Sequence, residues 1–516
     1  MEKYLVNKFQ LTIYQDFGLA GYAFSAAMFE SKANFELIRD AEMYTKVVDT
    51  TIGPVSLLVK KAGIAFNEII GDTNVTNRKH ILYLDTIAMY LECMRQPLPY
   101  DSFRLLCPSE VDTFDVNIKT EFDYLINASW AYTADKEYSK DFPFIVEKLP
   151  ITIVNGEQVI GQSGVNNTVY RVVQTQLDKN NVSLFQDSCL FFLQKGMSIT
   201  KINWIIEYRS KSWLKSYMDK CMDMRETARY PFQKGLAKKL ANFVFGKLMA
   251  QSNTKTIRFC KSALQAERLT RKDNITSIEI LTPELSMYKL ASRTVLASKN
   301  PLVAAFILDY SKTMLFRHIY KMKDLFGPRF LLCAVETDSL IIELTDDANS
   351  FVTEMKLLGP MFQWDSISSS HPLFAKEARQ KPGALKFELS YIKEFIKLAS
   401  KSFCLLTKCA NCRQATLDSI YGEMCNKCGS KTTLLRGVGK NSQATFESYR
   451  KALRNEQENL AGCSYSITRD MGDVKLVQKK ESSLKHNNGY RIFPVGSLMS
   501  YPIGYDAIPN DGGLEG

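Results

Sequence analysis

The chain has 516 residues and a formal net charge of +11. With 45% hydrophobic and 23% charged residues, 26 Gly and 16 Pro, its composition excludes a collagen-like, low-complexity or wholly disordered protein. No apolar run approaches the roughly 18 residues of a membrane span, and the N-terminal sequence lacks the order of a signal peptide. The twelve cysteines are mostly isolated, which is typical of a reducing compartment. We therefore expect an intracellular protein of the cytoplasm or nucleus, not secreted and without a membrane partner.

Helices and strands are predicted in separate blocks along the chain. In chain order we expect mostly helix over 1–80, a short strand over 81–85, and β-type runs over 100–200, which are FIVEKLPITIV, VYRVVQTQL and CLFFLQ. Helix is expected over 201–250 with a break at Pro231, and near-continuous helix over 285–325 with an interruption at Pro301. A hairpin is expected over 330–344. Blocks of this kind favour an α+β fold with antiparallel strands over a doubly wound sheet.

Two acids are predicted to lie at the ends of apolar strands. Asp85 ends the strand over 81–85, and Asp338 lies in the polar tip of the hairpin. An ionised acid beside a buried run is costly unless it is paired, and Mg²⁺ is a suitable partner because it prefers carboxylates, phosphates and water. Two such acids could hold two ions about 4 Å apart for an in-line phosphoryl displacement. The alternative for either acid alone is that it simply faces water.

A cationic stripe is predicted on the helix that follows Pro231. Its members are spaced four, four and three residues apart and are followed by a glycine; they are Lys234, Lys238, Asn242, Phe245 and Gly246. Ammonium groups in line with an amide and an aromatic ring suit a triphosphate with a base stacked above it. Arg225 and Arg229 form a further pair upstream. The alternative is an ordinary amphipathic helix with its lysines in water.

The positive charge is concentrated in one segment. Residues 201–275 hold 17 Lys or Arg and 6 Asp or Glu, so this segment alone accounts for the net charge. A basic field with aromatic side chains nearby suits polyphosphate or nucleic acid, although a solvated helical surface has the same composition.

Four cysteines form a paired C-x2-C module. The cysteines are Cys409, Cys412, Cys425 and Cys428. A two-residue gap allows both thiolates of a pair to reach one tetrahedral Zn²⁺, and four cysteines leave no open position. The spacing therefore predicts structural zinc, with chance spacing or a disulfide pair as the alternative.

In this order the motifs resemble those of family B DNA polymerases of the protein-primed branch, as in Polinton-like elements and related viruses. YLDTIAMYLECMRQPLP at 83–99 resembles motif A, KKLANFVFGK at 238–247 resembles motif B, and ETDS at 336–339 resembles motif C. EFIKLASKSF at 394–403 is similar to the Lys-x-Tyr element that follows. The resemblance implies a right-hand polymerase with palm, fingers and thumb, an antiparallel palm sheet and a zinc-knuckle insertion.

The resemblance implies a role for each matching residue. Asp85 and Asp338 would ligate two Mg²⁺ ions, and Tyr90 would exclude a 2′-hydroxyl. Lys238, with Lys234 and Arg225, would bind the triphosphate as the catalytic cation. The nascent base pair would be bound by Asn242, Phe245 and Gly246, and the primer-template by Lys401 and Phe403. Positioning and charge neutralisation are the main sources of catalysis in phosphoryl transfer.

The resemblance also implies domains and partners. The expected domains are an N-terminal remnant or linker over 1–80, a first palm segment with an insertion over 81–204, fingers over 205–260, a second palm segment over 261–400, and a thumb over 401–516 with the zinc knuckle at 409–428. The chain would add deoxynucleotides to a primer 3′-hydroxyl, or to a protein primer, in replicating a viral or mobile-element genome. Its partners would be primer-template DNA, dNTPs, and also a terminal priming protein and a separate exonuclease chain.

Several positions depart from the family's pattern. Glu336 replaces the first acid of motif C, Phe243 replaces the motif B serine, and Phe403 replaces the tyrosine of the Lys-x-Tyr element. A catalytically weakened, DNA-binding relic is therefore one alternative, and a nuclease or transposase with paired acids is another. Only 84 residues precede Asp85, so we expect no proofreading exonuclease in this chain.

Overall fold

The computed structural model describes 2–16, 18–70, 72, 78–154, 157–160, 169–250, 256–271, 275–290, 300–346, 350–407, 433–438, 444–454, 456, 463–470, 473–480, 484 and 490–508. These residues form two compact units. The first comprises Met1–Thr51, Met94–Leu125 and Trp204–Ile307, and the second comprises Ile52–Cys93, Ile126–Asn203 and Leu308–Gly516. No helix within the described ranges is long and apolar enough to cross a membrane.

The helices of the described residues are α1 Glu2–Phe9, α2 Gly18–Ser31, α3 Ala41–Thr50, α4 Met89–Arg95, α5 Pro108–Asp112, α6 Lys136–Ser139, α7 Gln186–Gln194, α8 Lys215–Glu226, α9 Pro231–Met249, α10 Ala263–Thr270, α11 Pro301–Phe326, α12 Phe351–Leu357 and α13 Phe446–Leu453.

The strands are β1 Ser56–Leu58, β2 Ala62–Ile64, β3 Arg78–Thr86, β4 Leu98–Leu105, β5 Asp123–Ala131, β6 Glu147–Val154, β7 Glu157–Ile160, β8 Val169–Val173, β9 Lys179–Phe185, β10 Ser198–Lys211, β11 Thr256–Cys260, β12 Ile275–Thr282, β13 Leu285–Leu290, β14 Phe330–Glu336, β15 Ser339–Asp346, β16 Phe362–Gln363, β17 Leu385–Leu389, β18 Ile392–Ala399, β19 Ser402–Thr407, β20 Thr433–Arg436, β21 Cys463–Asp470 and β22 Asp473–Lys480.

The first unit contains a group of packed helices. Helix α9 packs against α2 and α8. It begins at Pro231, whose fixed φ suits the first helical turn. Its apolar side chains recur three and four residues apart, and the buried ones are Leu236, Ala237, Leu240, Ala241, Val244 and Leu248. The helix predicted after Pro231 is therefore confirmed, and its polar stripe lies outside this apolar face.

Three predicted elements are wrong. Residues 201–211 lie in β10 instead of a helix, and residues 285–290 form β13, which pairs with both β11 and β12. The first segment becomes a strand because β4, which is distant in sequence, pairs with it, and the second because it forms a hairpin with β12 and also pairs with β11. The run CLFFLQ lies in α7 instead of a strand, with Cys189, Phe191 and Phe192 buried. A short apolar run does not distinguish a buried helix from a strand.

The second unit is built on a six-stranded sheet with the order β1-β14-β15-β3-β17-β16. Strand β3 lies inside the sheet and pairs antiparallel with β15 and β17. The predicted hairpin is present as β14 and β15, which pair antiparallel with Glu336 opposite Ser339. Every pairing except the parallel pair β16–β17 is antiparallel, in agreement with the predicted α+β class.

A second sheet, with the order β2-β18-β19-β20, packs against the first. One apolar cluster joins them through Ile81 of β3, Ile341 of β15, Phe395 of β18, and Phe403 and Leu405 of β19. Since Phe395 and Leu405 have no exposed surface, this cluster fixes the β18–β19 hairpin against the strand that carries Asp85.

Candidate active site

The pairing of β3 with β15 brings Asp85 and Asp338 together. Asp85 lies opposite Ser339, the residue that follows Asp338. The Thr86 N–H donates a hydrogen bond to the Asp338 carbonyl oxygen at 2.8 Å. A tight turn makes this possible, with Thr337 at φ 60° and the Asp338 N–H bonded to the Glu336 carbonyl at 2.7 Å. The two predicted metal ligands therefore lie at the same end of adjacent strands.

The electrostatics of Asp85 also show that the two acids share one environment. Burial, and secondly the Asp338 charge, raise the pKa of Asp85 to about 6. The Lys386 ammonium lies 3.1 Å from the Asp85 carboxylate and opposes this rise. A partly desolvated pair of like charges gains free energy when a cation binds between them.

The donor chemistry of this pair fits Mg²⁺. Asp85 and Asp338 offer hard carboxylate oxygens, and the pKa of Asp85 is raised first by burial and secondly by the Asp338 charge, both of which a bound cation would offset. Among the described residues, no cluster of three or more His, Cys, Asp or Glu could form a fuller metal cage. Two carboxylates are sufficient for Mg²⁺ in this setting, because it commonly keeps waters and binds substrate phosphates.

Tyr90 lies within the electrostatic influence of Asp338. It stands in the first turn of α4, which follows a turn with Ala88 at φ 47°. The Ile87 N–H donates to the Ala384 carbonyl at 2.8 Å, which ties this turn to the segment that leads into β17. Burial, and secondly the Asp338 charge, raise the pKa of Tyr90 to about 12. The structure therefore brings Tyr90 into the electrostatic range of Asp338.

Lys386 is a site residue that the sequence analysis missed. It lies opposite Asp85 in the β3–β17 pairing and forms ion pairs with Asp85 and Glu388. Its place beside the acids depends on strand register across 300 residues of sequence, and no local pattern around LKFEL indicates that register. The sequence LKFEL alternates apolar and charged residues, which indicates a strand but not its neighbours, and the burial of 385–389 follows the same alternation.

Lys401 and Phe403 lie at the turn between β18 and β19, but their surroundings differ. Lys401 is exposed, with φ 58°. Phe403 is 4% exposed and packs edge-to-face against Tyr83 of β3. The structure thus gives Phe403 a packing role beneath the surface, while contact with DNA stays a prediction for Lys401.

The cationic stripe lies in the first unit. Lys234, Lys238 and Asn242 are exposed on α9 and Phe245 is half-buried. A Cβ added at the exposed Gly246 would meet nothing within 4 Å. Arg225 is half-buried in the last turn of α8. Both the triphosphate interpretation and the amphipathic-helix interpretation fit these placements, so the roles of these residues stay predictions.

The predicted zinc ligands lie outside the described residues. Cys409, Cys412, Cys425 and Cys428 all fall within 408–432. The zinc knuckle therefore stays a prediction from spacing alone.

The fold resembles that of phi29 DNA polymerase. The ternary complex of that enzyme with primer-template DNA and incoming nucleotide matches with a TM-score of 0.50 and 12% identity, over 93% of this chain and 70% of that chain. An orthorhombic crystal form of the same polymerase matches with a TM-score of 0.51 and 12% identity, over 94% and 78% of the two chains. No family model and no curated protein matches the chain.

At this level of identity the comparison establishes the fold. The chain has the fold of phi29 DNA polymerase, and the mixed α+β polymerase fold predicted from the motifs is therefore confirmed.

Proposed function

We propose that this chain is a DNA-directed DNA polymerase that adds deoxynucleotides to a primer 3′-hydroxyl by two-metal phosphoryl transfer. The observation that carries the proposal is the adjacency of Asp85 and Asp338 at the ends of β3 and β15, in a chain with the fold of phi29 DNA polymerase.

Each part of the reaction has a candidate residue. Asp85 and Asp338 would hold the Mg²⁺ ions, whose chemistry when bound is to stabilise negative charge on the attacking and leaving oxygens. Tyr90 would exclude a 2′-hydroxyl. The charged residues Lys238, Lys234 and Arg225 would orient the triphosphate, and Asn242, Phe245 and Gly246 would form the surface for the nascent base pair. Lys401 would bind the primer-template backbone.

The proposal also includes the palm, fingers and thumb boundaries and zinc bound by the knuckle at 409–428. It further includes priming by a terminal protein and replication of a viral or mobile-element genome. Their support is the motif order and the cysteine spacing.

Primer extension tests the proposal directly. A labelled primer-template is incubated with Mg²⁺ and dNTPs, and Asp85→Asn and Asp338→Asn are compared with the unaltered chain. Both variants should lose extension while keeping primer-template affinity, because each removes a metal ligand. Asp187→Asn is a matched control, since this exposed acid of the second unit pairs only with Arg317 in the structure described. Normal extension by either active-site variant would refute the assignment.

A second candidate function is a DNA-binding relic with weakened catalysis. Its specific support is that the Glu336 carboxylate is engaged by Lys397 and by the Lys401 N–H. The same assay separates the two functions, because a relic would bind primer-template without magnesium-dependent extension.

A further inference from the structure

The carboxylate of Glu336 is directed at the β18–β19 turn. It accepts hydrogen bonds from the Lys397 ammonium, from the Lys401 N–H at 2.9 Å and from the Ser400 hydroxyl at 3.4 Å. Three donors therefore converge on the residue that stands at the first acidic position of motif C.

Lys397 makes this arrangement energetically necessary. Its side chain has no exposed surface, whereas that of Glu336 is 13% exposed. A buried ammonium without a counterion costs several kcal/mol, and Glu336 supplies the counterion. A carboxylate that neutralises a buried lysine has little negative charge left to attract a metal ion.

The turn that Glu336 holds has a strained backbone. Lys401 lies at φ 58°, in the left-handed region that a lysine rarely adopts. Its N–H is bonded to Glu336. Ser56 of β1, which lies opposite Glu336 in the sheet, also donates to the Ser400 hydroxyl oxygen at 3.0 Å. Glu336 of β14 and Ser56 of β1 therefore fix the Ser400–Lys401 turn on two sides.

We infer that Glu336 is a positioning residue that binds no catalytic metal: it holds the Lys401 turn in place against the end of β14, so that the Lys401 ammonium is presented to the primer-template backbone. The inference rests on the proposed function. Glutamate has one more methylene than the family's aspartate, and that length allows its carboxylate to reach Lys397 and the turn.

Two binding measurements that need no catalysis test the inference. Primer-template affinity is measured by fluorescence anisotropy, and metal affinity by Mn²⁺ titration with EPR detection. Glu336→Gln should weaken primer-template binding by about tenfold, because its neutral amide oxygen holds the Lys401 turn less strongly than a charged carboxylate does, and should leave Mn²⁺ affinity unchanged. Glu336→Asp, which restores the family's residue, should show the same defect because the shorter side chain does not reach the turn.

A double-mutant cycle checks that the effect passes through Lys401. Lys401→Ala should also weaken primer-template binding, and Glu336→Gln added to it should cause no further loss. Glu343→Gln is the matched control. Glu343 lies in the same sheet as Glu336, is the counterion of the largely buried Lys60 and has no proposed part in DNA binding.

If Glu336→Gln fails to fold, the same measurements are made on the double variant Glu336→Gln/Lys397→Met, which removes the unpaired buried charge.

Three outcomes would overturn the inference: weaker Mn²⁺ binding by Glu336→Gln with unchanged DNA affinity, no change in either affinity, or an equal loss of DNA affinity in Glu343→Gln. A wild-type chain that neither binds nor extends primer-template would instead refute the proposed function, so the two failures are distinguishable.

Discussion

At the residue scale, the proposed chemistry depends on Asp85 and Asp338, which lie at the ends of adjacent strands. Asp85 and Asp338 could be predicted because an acid at the end of an apolar run is unusual in any chain. Lys386 and Lys397 could not, since each becomes a partner of an acid only through strand pairing or sheet packing. The role of Glu336 was likewise hidden, because its interaction with Lys397 is a tertiary contact.

Tyr90 gives a prediction about sugar selection. If its ring packs under the deoxyribose, Tyr90→Ala should raise ribonucleotide incorporation relative to deoxynucleotide incorporation by at least about tenfold, since a steric exclusion is removed. Tyr90→Phe keeps the ring and should keep discrimination. Single-nucleotide extension with matched rNTP and dNTP measures the ratio, and an unchanged ratio in Tyr90→Ala would remove the proposed role.

Two buried histidines predict that the folded chain loses stability as the pH falls. Burial lowers the pKa of both His80 and His371 to about 4, and for His80 it outweighs the opposing charge of Asp346. Between pH 6.5 and 4 the unfolded chain therefore binds protons that the folded chain does not, so stability falls as pH falls, by up to roughly 3 kcal/mol per histidine.

Urea unfolding between pH 7 and pH 5 measures this loss. His80→Phe is the informative variant, because it keeps a ring to stack on Phe351 at 3.8 Å but cannot take up a proton. Its free energy of unfolding should fall less with pH than that of the unaltered chain. Identical pH dependence in the two proteins would show that His80 is not buried in its neutral form.

At the element scale, helix α9 was the most predictable part of the first unit. Its apolar positions recur at helical spacing and Pro231 marks its start. Strand β10 was not predictable, since its partner β4 is distant in sequence and no local signal encodes the pairing. Strand β13 forms a hairpin with β12, which ends at Thr282, and was missed because this segment was interpreted as the start of the helix that begins at Pro301. Strand β3 and the β14–β15 hairpin were found because short apolar runs bounded by polar residues are themselves a strand signal.

Alanine substitutions at two exposed glycines of α9 distinguish an effect on helix stability from an effect on nucleotide incorporation. A Cβ at Gly235 or at Gly246 would meet nothing within 4 Å. Both Gly235→Ala and Gly246→Ala should therefore raise the free energy of unfolding by about 0.5–1 kcal/mol, as expected in an exposed helix interior. Only Gly246→Ala should reduce nucleotide incorporation, because Gly246 belongs to the proposed base-pair surface. Equal activity of the two variants would contradict that assignment.

At the scale of the whole molecule, charge distribution predicts how DNA binding responds to salt. The excess of Lys and Arg over 201–275 accounts for the net charge, and neutralised phosphates release counterions. Primer-template affinity should fall linearly with salt on a double-logarithmic plot, with a slope of about −0.9 per phosphate contact on duplex DNA. Anisotropy titrations from low to moderate salt measure this slope, and an affinity independent of salt would exclude an electrostatic binding surface.

In the proposed mechanism Asp85 and Asp338 bind the same metal ions. Mn²⁺ affinity, measured by EPR titration in Asp85→Asn, Asp338→Asn and the double variant, tests whether they do. A shared site predicts that each single change weakens binding nearly as much as the double change. Additive losses, or undiminished affinity in either single variant, would contradict a shared site.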